Sequence, residues 1–199
     1  MTSPRPAFTR ELVAWVLAGA ADAALASEAT RLVSACPGAF AVEAADTLAD
    51  SLEARTSGDG RDSVLAALRE SGCPAGHYVR ARLLASSGAF DEAIEASSAA
   101  LGTGPETDAH VRAARARWLV RRARHAEAVQ ELRAALDTHP SYAFHVRTEK
   151  LVEKVMASPA FVLRRTIRLA LLSSATTGLL APVLRAAFFA RSIRLELHQ

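Results

Sequence analysis

The stretch GAFDEAIEASSAAL, Gly88 to Leu101, returns 35 residues later as ARHAEAVQELRAAL, Ala123 to Leu136. Glu92, Ala93, Ala100 and Leu101 reappear as Glu127, Ala128, Ala135 and Leu136, and each copy is followed four residues on by a proline, Pro105 or Pro140. An internal period of this length commits a chain to repeated units, because each unit buries its apolar face against its neighbours. Prolines 37, 74, 105 and 140 are spaced by 37, 31 and 35 residues. That spacing suits a helix–turn–helix unit of about 34 residues.

Within each period the apolar residues fall at helical spacing. Residues 39–55 carry Phe40, Ala44, Leu48 and Leu52, and TSGDG (Thr56 to Gly60) breaks the pattern. Residues 61–71 follow with Val64, Leu65 and Leu68, and Gly72 is placed to end them. Further helices are predicted over 75–87, 90–101, 107–122 and 125–138. Leu12, Trp15, Val16 and Gly19 predict an earlier amphipathic helix, and Glu11 and Asp22 at its ends argue against a secretory leader. Alanine, the best helix former, is abundant, aromatics make up 6% of residues and valines do not alternate, so no strand is expected.

The units over 75–140 resemble the tetratricopeptide repeat family. Ala81 and Ala116 match the small residue where the two helices of one repeat cross; Ala93 and Ala128 open the second helix. Ala100 and Ala135 match the alanine facing the next repeat, and Pro105 and Pro140 the closing proline. Gly88 and Phe90 match the turn, where the second copy has Ala123 and His125; the early tryptophan and leucine of the first helix are missing from both copies. The resemblance implies an all-α fold, a solenoid of stacked antiparallel helix pairs over 1–157, followed here by a helical hairpin over 158–199. It also implies a concave face lined by the first helices, which binds another protein. On that face it puts Tyr78, Arg82, His110, Arg117 and Arg121. Arginine forks suit an acidic peptide segment, although a merely solvated arginine face reads the same way in sequence. The lysine and asparagine clamp by which some of the family hold chaperone C-termini is replaced by Tyr78, Arg82, Ala113, Ala114 and Arg117.

Arg112 to Arg124 holds six arginines, but they spread almost all round a helix and only Trp118 offers a ring nearby. Nucleic acid is therefore not the expected partner.

The tail is distinct, with six arginines and one acid, Glu196, over 158–199. FVLRRTIRLALL (Phe161 to Leu172) predicts one helix, SSATTG (Ser173 to Gly178) a break, and LLAPVLRAAFFARSIRL (Leu179 to Leu195) a second helix with Pro182 in its first turn. Its stripe is Leu180, Val183, Leu184, Ala187 and Phe188, with Arg185 and Arg191 off it. The uncharged run Leu169 to Leu184 is 16 residues long, short of the roughly 20 a span needs. Three roles stay open: a cap on the array, a surface for a protein partner or a second copy, and a membrane-surface hairpin. In the last, Leu180, Leu184 and Phe188 enter the interface while Arg185 and Arg191 meet anionic headgroups.

No catalytic, metal-binding or cofactor-binding constellation is expected. Histidines 77, 110, 125, 139, 145 and 198 lack ligand spacing, and Asp91, Glu92 and Glu127 sit in first helical turns, where the dipole favours acids. Cys36 and Cys73, each just before a proline, are expected as free thiols. The expectation is a non-catalytic, cytoplasmic adaptor, with a peripheral place at the inner membrane surface as the alternative.

Overall fold

The computed structural model describes residues 8–36, 40–138, 141–170 and 177–198. Pro37, His139, Pro140 and most of the expected break at 173–178 lie outside them. The described residues are mostly helical. The helices are α1 (Arg10–Gly19), α2 (Leu25–Ser34), α3 (Val42–Arg55), α4 (Gly58–Glu70), α5 (Pro74–Ser86), α6 (Phe90–Ser98), α7 (Pro105–Arg121), α8 (His125–Asp137), α9 (Tyr142–Met156) and α10 (Thr177–Ala190). Two strands flank α10: β1 (Arg165–Ala170) and β2 (Ile193–His198). The chain forms two compact units, Met1–Val111 and Arg112–Gln199. The units divide inside α7, away from the 157–158 boundary expected from the sequence.

In the first unit α3 packs between α1 and α5, α2 packs on α4 and α5, and α5 pairs with α6. The apolar rows run as periodicity predicts: Ala44, Leu48 and Leu52 on α3, and Val64 and Leu68 on α4, are buried. On α1 the phase differs. Val13, Val16 and Leu17 are buried, while Trp15 is 76% exposed. Arg55 closes the C-terminal end of α1, donating to the carbonyls of Leu17 (2.5 Å) and Ala20 (2.6 Å) and to Asp22 (2.7 Å). A cation is the suitable group there, since the last carbonyls of a helix lack intrahelical donors and carry partial negative charge. Pro74 opens α5, and Cys73 Sγ accepts the Gly76 N–H at 3.3 Å. A Cβ on Gly76 would stand 2.3 Å from Ser71 Oγ and 3.2 Å from the Leu68 carbonyl, so a larger residue there needs the Ser71 hydroxyl to turn away and the end of α4 to give slightly.

The 35-residue echo has a backbone counterpart. At the end of α5, Gly88 N–H bonds to Ala85 O and Ala89 N–H to Leu84 O. At the end of α7, Ala123 N–H bonds to Val120 O and Arg124 N–H to Leu119 O. Both are the paired bonds of a Schellman motif, which needs a left-handed residue at its corner. Gly88 has φ +86° and Ala123 φ +56°. A Cβ in that region costs roughly 1–2 kcal/mol, partly offset because alanine restricts the unfolded chain. Ala123→Gly is therefore expected to raise stability by about 0.5–1 kcal/mol, and Gly88→Ala to lower it by a similar amount, read from urea midpoints at constant m. The six matched alanines, 81, 93, 100, 116, 128 and 135, are each 0% exposed.

The expected C-terminal helical hairpin is corrected to a strand–helix–strand unit. β1 and β2 run parallel, with Arg165 beside Ile193, Ile167 beside Leu195 and Leu169 beside Leu197. Parallel neighbours need a crossover, and α10 supplies it. The signal lay in IRLELH (Ile193 to His198), where apolar and polar residues alternate strictly. Six such residues define a strand face and fit no helical stripe.

The phase of α10 also differs. Ala181, Ala186 and Phe189 are buried, whereas Leu180 is 53% exposed and Val183, Leu184 and Phe188 are half-buried. Pro182 is the sixth helical residue, so it lies beyond the first turn. The helix packs on α8, α9 and β2. Phe189 stacks on Phe161 with ring centroids 5.2 Å apart, and the Arg133 guanidinium lies 5.6 Å and 5.9 Å from the two centroids. Arg133 also donates to Ser192 Oγ at 2.6 Å. These bonds tie the tail to α8 and explain why α8, α9 and the strands share one unit.

Candidate functional site

Three of the residues expected on a concave face belong to the first unit. Tyr78 is 2% exposed; its ring is tilted against Phe40 at 5.6 Å and its hydroxyl donates to Asp46 at 2.9 Å. Arg82 pairs with Asp46 at 3.3 Å and Asp50 at 2.7 Å. Both side chains thus fasten α5 to α3. The aromatic expected beside the arginines is a packing residue, corrected by its burial, and Arg82 already has two carboxylates. His110, on α7, is half-buried.

The remaining two, Arg117 and Arg121, lie on the α7 turns of the second unit. They are exposed and four residues apart, so they share a helix face. Their neighbours are engaged. Arg112 and Arg115 both pair with Glu131 of α8, at 3.0 Å and 2.9 Å, and Arg124 pairs with Glu127 at 2.7 Å. Among the described residues no carboxylate pairs with Arg117 or Arg121. The segregation follows from burial: Glu131 is 15% exposed and gathers the two arginines that α7 turns towards α8. On the same helix Ala113, Ala116 and Val120 are buried.

The residues expected to meet a membrane or a second surface are distributed differently. Arg185 is held by Glu149 and, at 3.6 Å, by Glu153, both on α9. It is corrected from a free headgroup ligand to a tie between α10 and α9. Arg191 is exposed and donates to the Ala187 carbonyl of its own helix at 3.2 Å. Leu184 and Phe188 are half-buried, which leaves Leu180 as the exposed apolar residue of the five. Among the described residues no helix is long and apolar enough to cross a membrane.

A cleft of about 510 Å³ lies among the end of α8, α9 and α10, with His145, Asp137 and Arg191 among its lining and Leu136 and Val183 as apolar wall. His145 Nδ1 is buried without a hydrogen-bond partner, and burial lowers the pKa of this imidazole. His77 is lowered too, by burial first and then by Arg80. Cys36 and Cys73 are unbridged buried thiols, and burial, then the nearby Cys73, raises Cys36. Among the described residues no three potential ligands from His, Cys, Asp and Glu come together as a metal site would require. Compared with protein-family models, with curated proteins and with solved structures, the chain matches none.

Proposed function

We propose that this chain is a non-catalytic scaffold that binds another protein, and that an acidic segment of the partner docks on the α7 face carrying Arg117 and Arg121. One observation carries the reading. In a helix where Arg112, Arg115 and the following Arg124 are each paired with an acid, Arg117 and Arg121 stay exposed, one turn apart and without one. Two guanidinium groups at that spacing can each take a carboxylate in a bidentate way. Steering by such a pair depends on salt. The tetratricopeptide-like reading of the helix pairs over 1–157, clearest over 75–140, is part of this proposal. It is supported by α3 packing between α1 and α5, by the repeated Schellman bonds and by the buried matched alanines. A cytoplasmic place suits such an adaptor. The membrane-surface alternative has less to stand on, since Arg185 is committed to Glu149 and Glu153.

The test is affinity capture from the native cell with the full chain and with Arg117→Glu/Arg121→Glu. The double reversal is expected to lose the partner, by roughly a hundredfold in affinity if each paired charge is worth about 1.4 kcal/mol, with helical circular dichroism unchanged because both side chains are exposed. Unaltered capture by the reversed chain sinks the proposal.

A further inference from the structure

We infer that the outer edge of β1 is a strand-addition site for an acidic, extended segment of a partner protein. The sheet has two strands among the described residues, so the alternate N–H and C=O groups of β1 that face away from β2 have no strand to pair with. Isolated two-stranded sheets are marginal, and parallel strands are ordinarily covered. Here the cover is one-sided. α10 packs on β2, where Ile193 and Leu195 are 7% and 8% exposed. Ile167 and Leu169, on the same face of β1, are only half-buried. Just upstream, Val162 is 77% and Leu163 37% exposed. Among the described residues an unpaired backbone edge therefore runs beside a half-covered apolar row, the two elements that strand addition uses for affinity and for side-chain selection.

The charge around the edge selects the occupant. Arg164 and Arg165 are exposed and, among the described residues, have no acid partner; Arg168 reaches only Glu196, across the strands at 2.9 Å. No aspartate or glutamate occurs between Glu153 and Glu196. A second copy pairing edge to edge would bring one set of these arginines against the other, and like charges across paired strands destabilise them. A strand carrying carboxylates meets no such repulsion. Charge complementarity thus singles out an acidic segment of a different protein. This surface is independent of the Arg117/Arg121 face proposed above.

The probe is a fluorescent peptide of about ten residues, a length close to natural strands, alternating valine and glutamate. It is titrated against the full chain by anisotropy, while hydrogen exchange is followed at the β1 amides. Saturable binding is expected, with β1 exchange slowed at least about tenfold in the complex. Affinity should fall roughly tenfold or more for Arg164→Glu/Arg165→Glu and for a peptide with lysine in place of glutamate. A peptide N-methylated on alternate residues, which cannot add as a strand, should not bind. Slowed exchange at the β1 amides, rather than anisotropy alone, separates this edge from the Arg117/Arg121 face, which on the reading above also takes acidic peptide. Three results overturn the inference: no binding of the valine–glutamate peptide; equal binding of its N-methylated form; or β1 amides that become protected in the protein alone as its concentration rises, which would give the edge to a second copy.

Discussion

Phe189→Ala is expected to destabilise the Arg112–Gln199 unit by about 3–5 kcal/mol, the usual cost of emptying a phenylalanine site in a packed core. Phe189 is 0% exposed, stacked 5.2 Å from Phe161 under the Arg133 guanidinium. Removing it deprives Phe161 of its ring partner and Arg133 of one of its two aromatic faces. The same side chains join α8, the segment before β1 and the end of α10, so the loss should fall on the tail as a whole. Urea unfolding followed by β1 and β2 hydrogen exchange measures it. A change below about 1 kcal/mol, within the range of ordinary surface substitutions and small core adjustments, would mean that the stack does not hold the strands in place. Phe188→Ala, one residue away on a half-buried site, should cost distinctly less.

The second large effect tests the repeat. Ala81→Leu and Ala116→Leu are each expected to cost about 1–3 kcal/mol, because three extra carbons must enter a site that is already filled. Both alanines are 0% exposed and lie 35 residues apart in chain order. If they play one role in two copies of a unit, their costs should be similar although their sequence neighbours differ. Ala126→Leu, on the exposed side of α8, is the control and should stay within about 0.5 kcal/mol of neutral. A tolerated leucine at either buried position would show that the helices there do not approach closely, and the equivalence drawn from the echo would fail with it.

The existence of the helices from α3 to α8 and several of their ends were legible because two kinds of signal coincided there, although α4 opens at Gly58, inside the expected break Thr56 to Gly60. Apolar residues fell at helical spacing, and glycine or proline punctuated the ends, as at Gly72, Pro74, Gly88 and Pro105. The tail lacked both. Leu179 to Ala190 is apolar almost all round, so periodicity assigns no unique face. The stripe Leu180, Leu184 and Phe188 lies one or two positions of rotation away from the buried row Ala181, Ala186 and Phe189. The pairing of Arg185 was hidden for another reason: Glu149 and Glu153 lie more than 30 residues away in the chain, and nothing local marks them as its partners. The same limit applied to Tyr78 and Arg82, whose partners Asp46 and Asp50 come from a different helix pair.

What the sequence by itself determined is the helical punctuation, the 35-residue echo and the small residues that are buried. These are local: capping, turn chemistry and close backbone approach depend on residues a few positions apart. What only the tertiary structure decided is which side chains are spent. Of six arginines in Arg112–Arg124, Glu131 and Glu127 occupy Arg112, Arg115 and Arg124, Arg122 is engaged as well, and Arg117 and Arg121 are the two that remain. It likewise decided that Arg165–Ala170 becomes a strand, because a parallel pair forms only when α10 brings β2 back beside it. Long-range pairing of charges and of strands depends on where the packed elements put them, and composition cannot specify that placement.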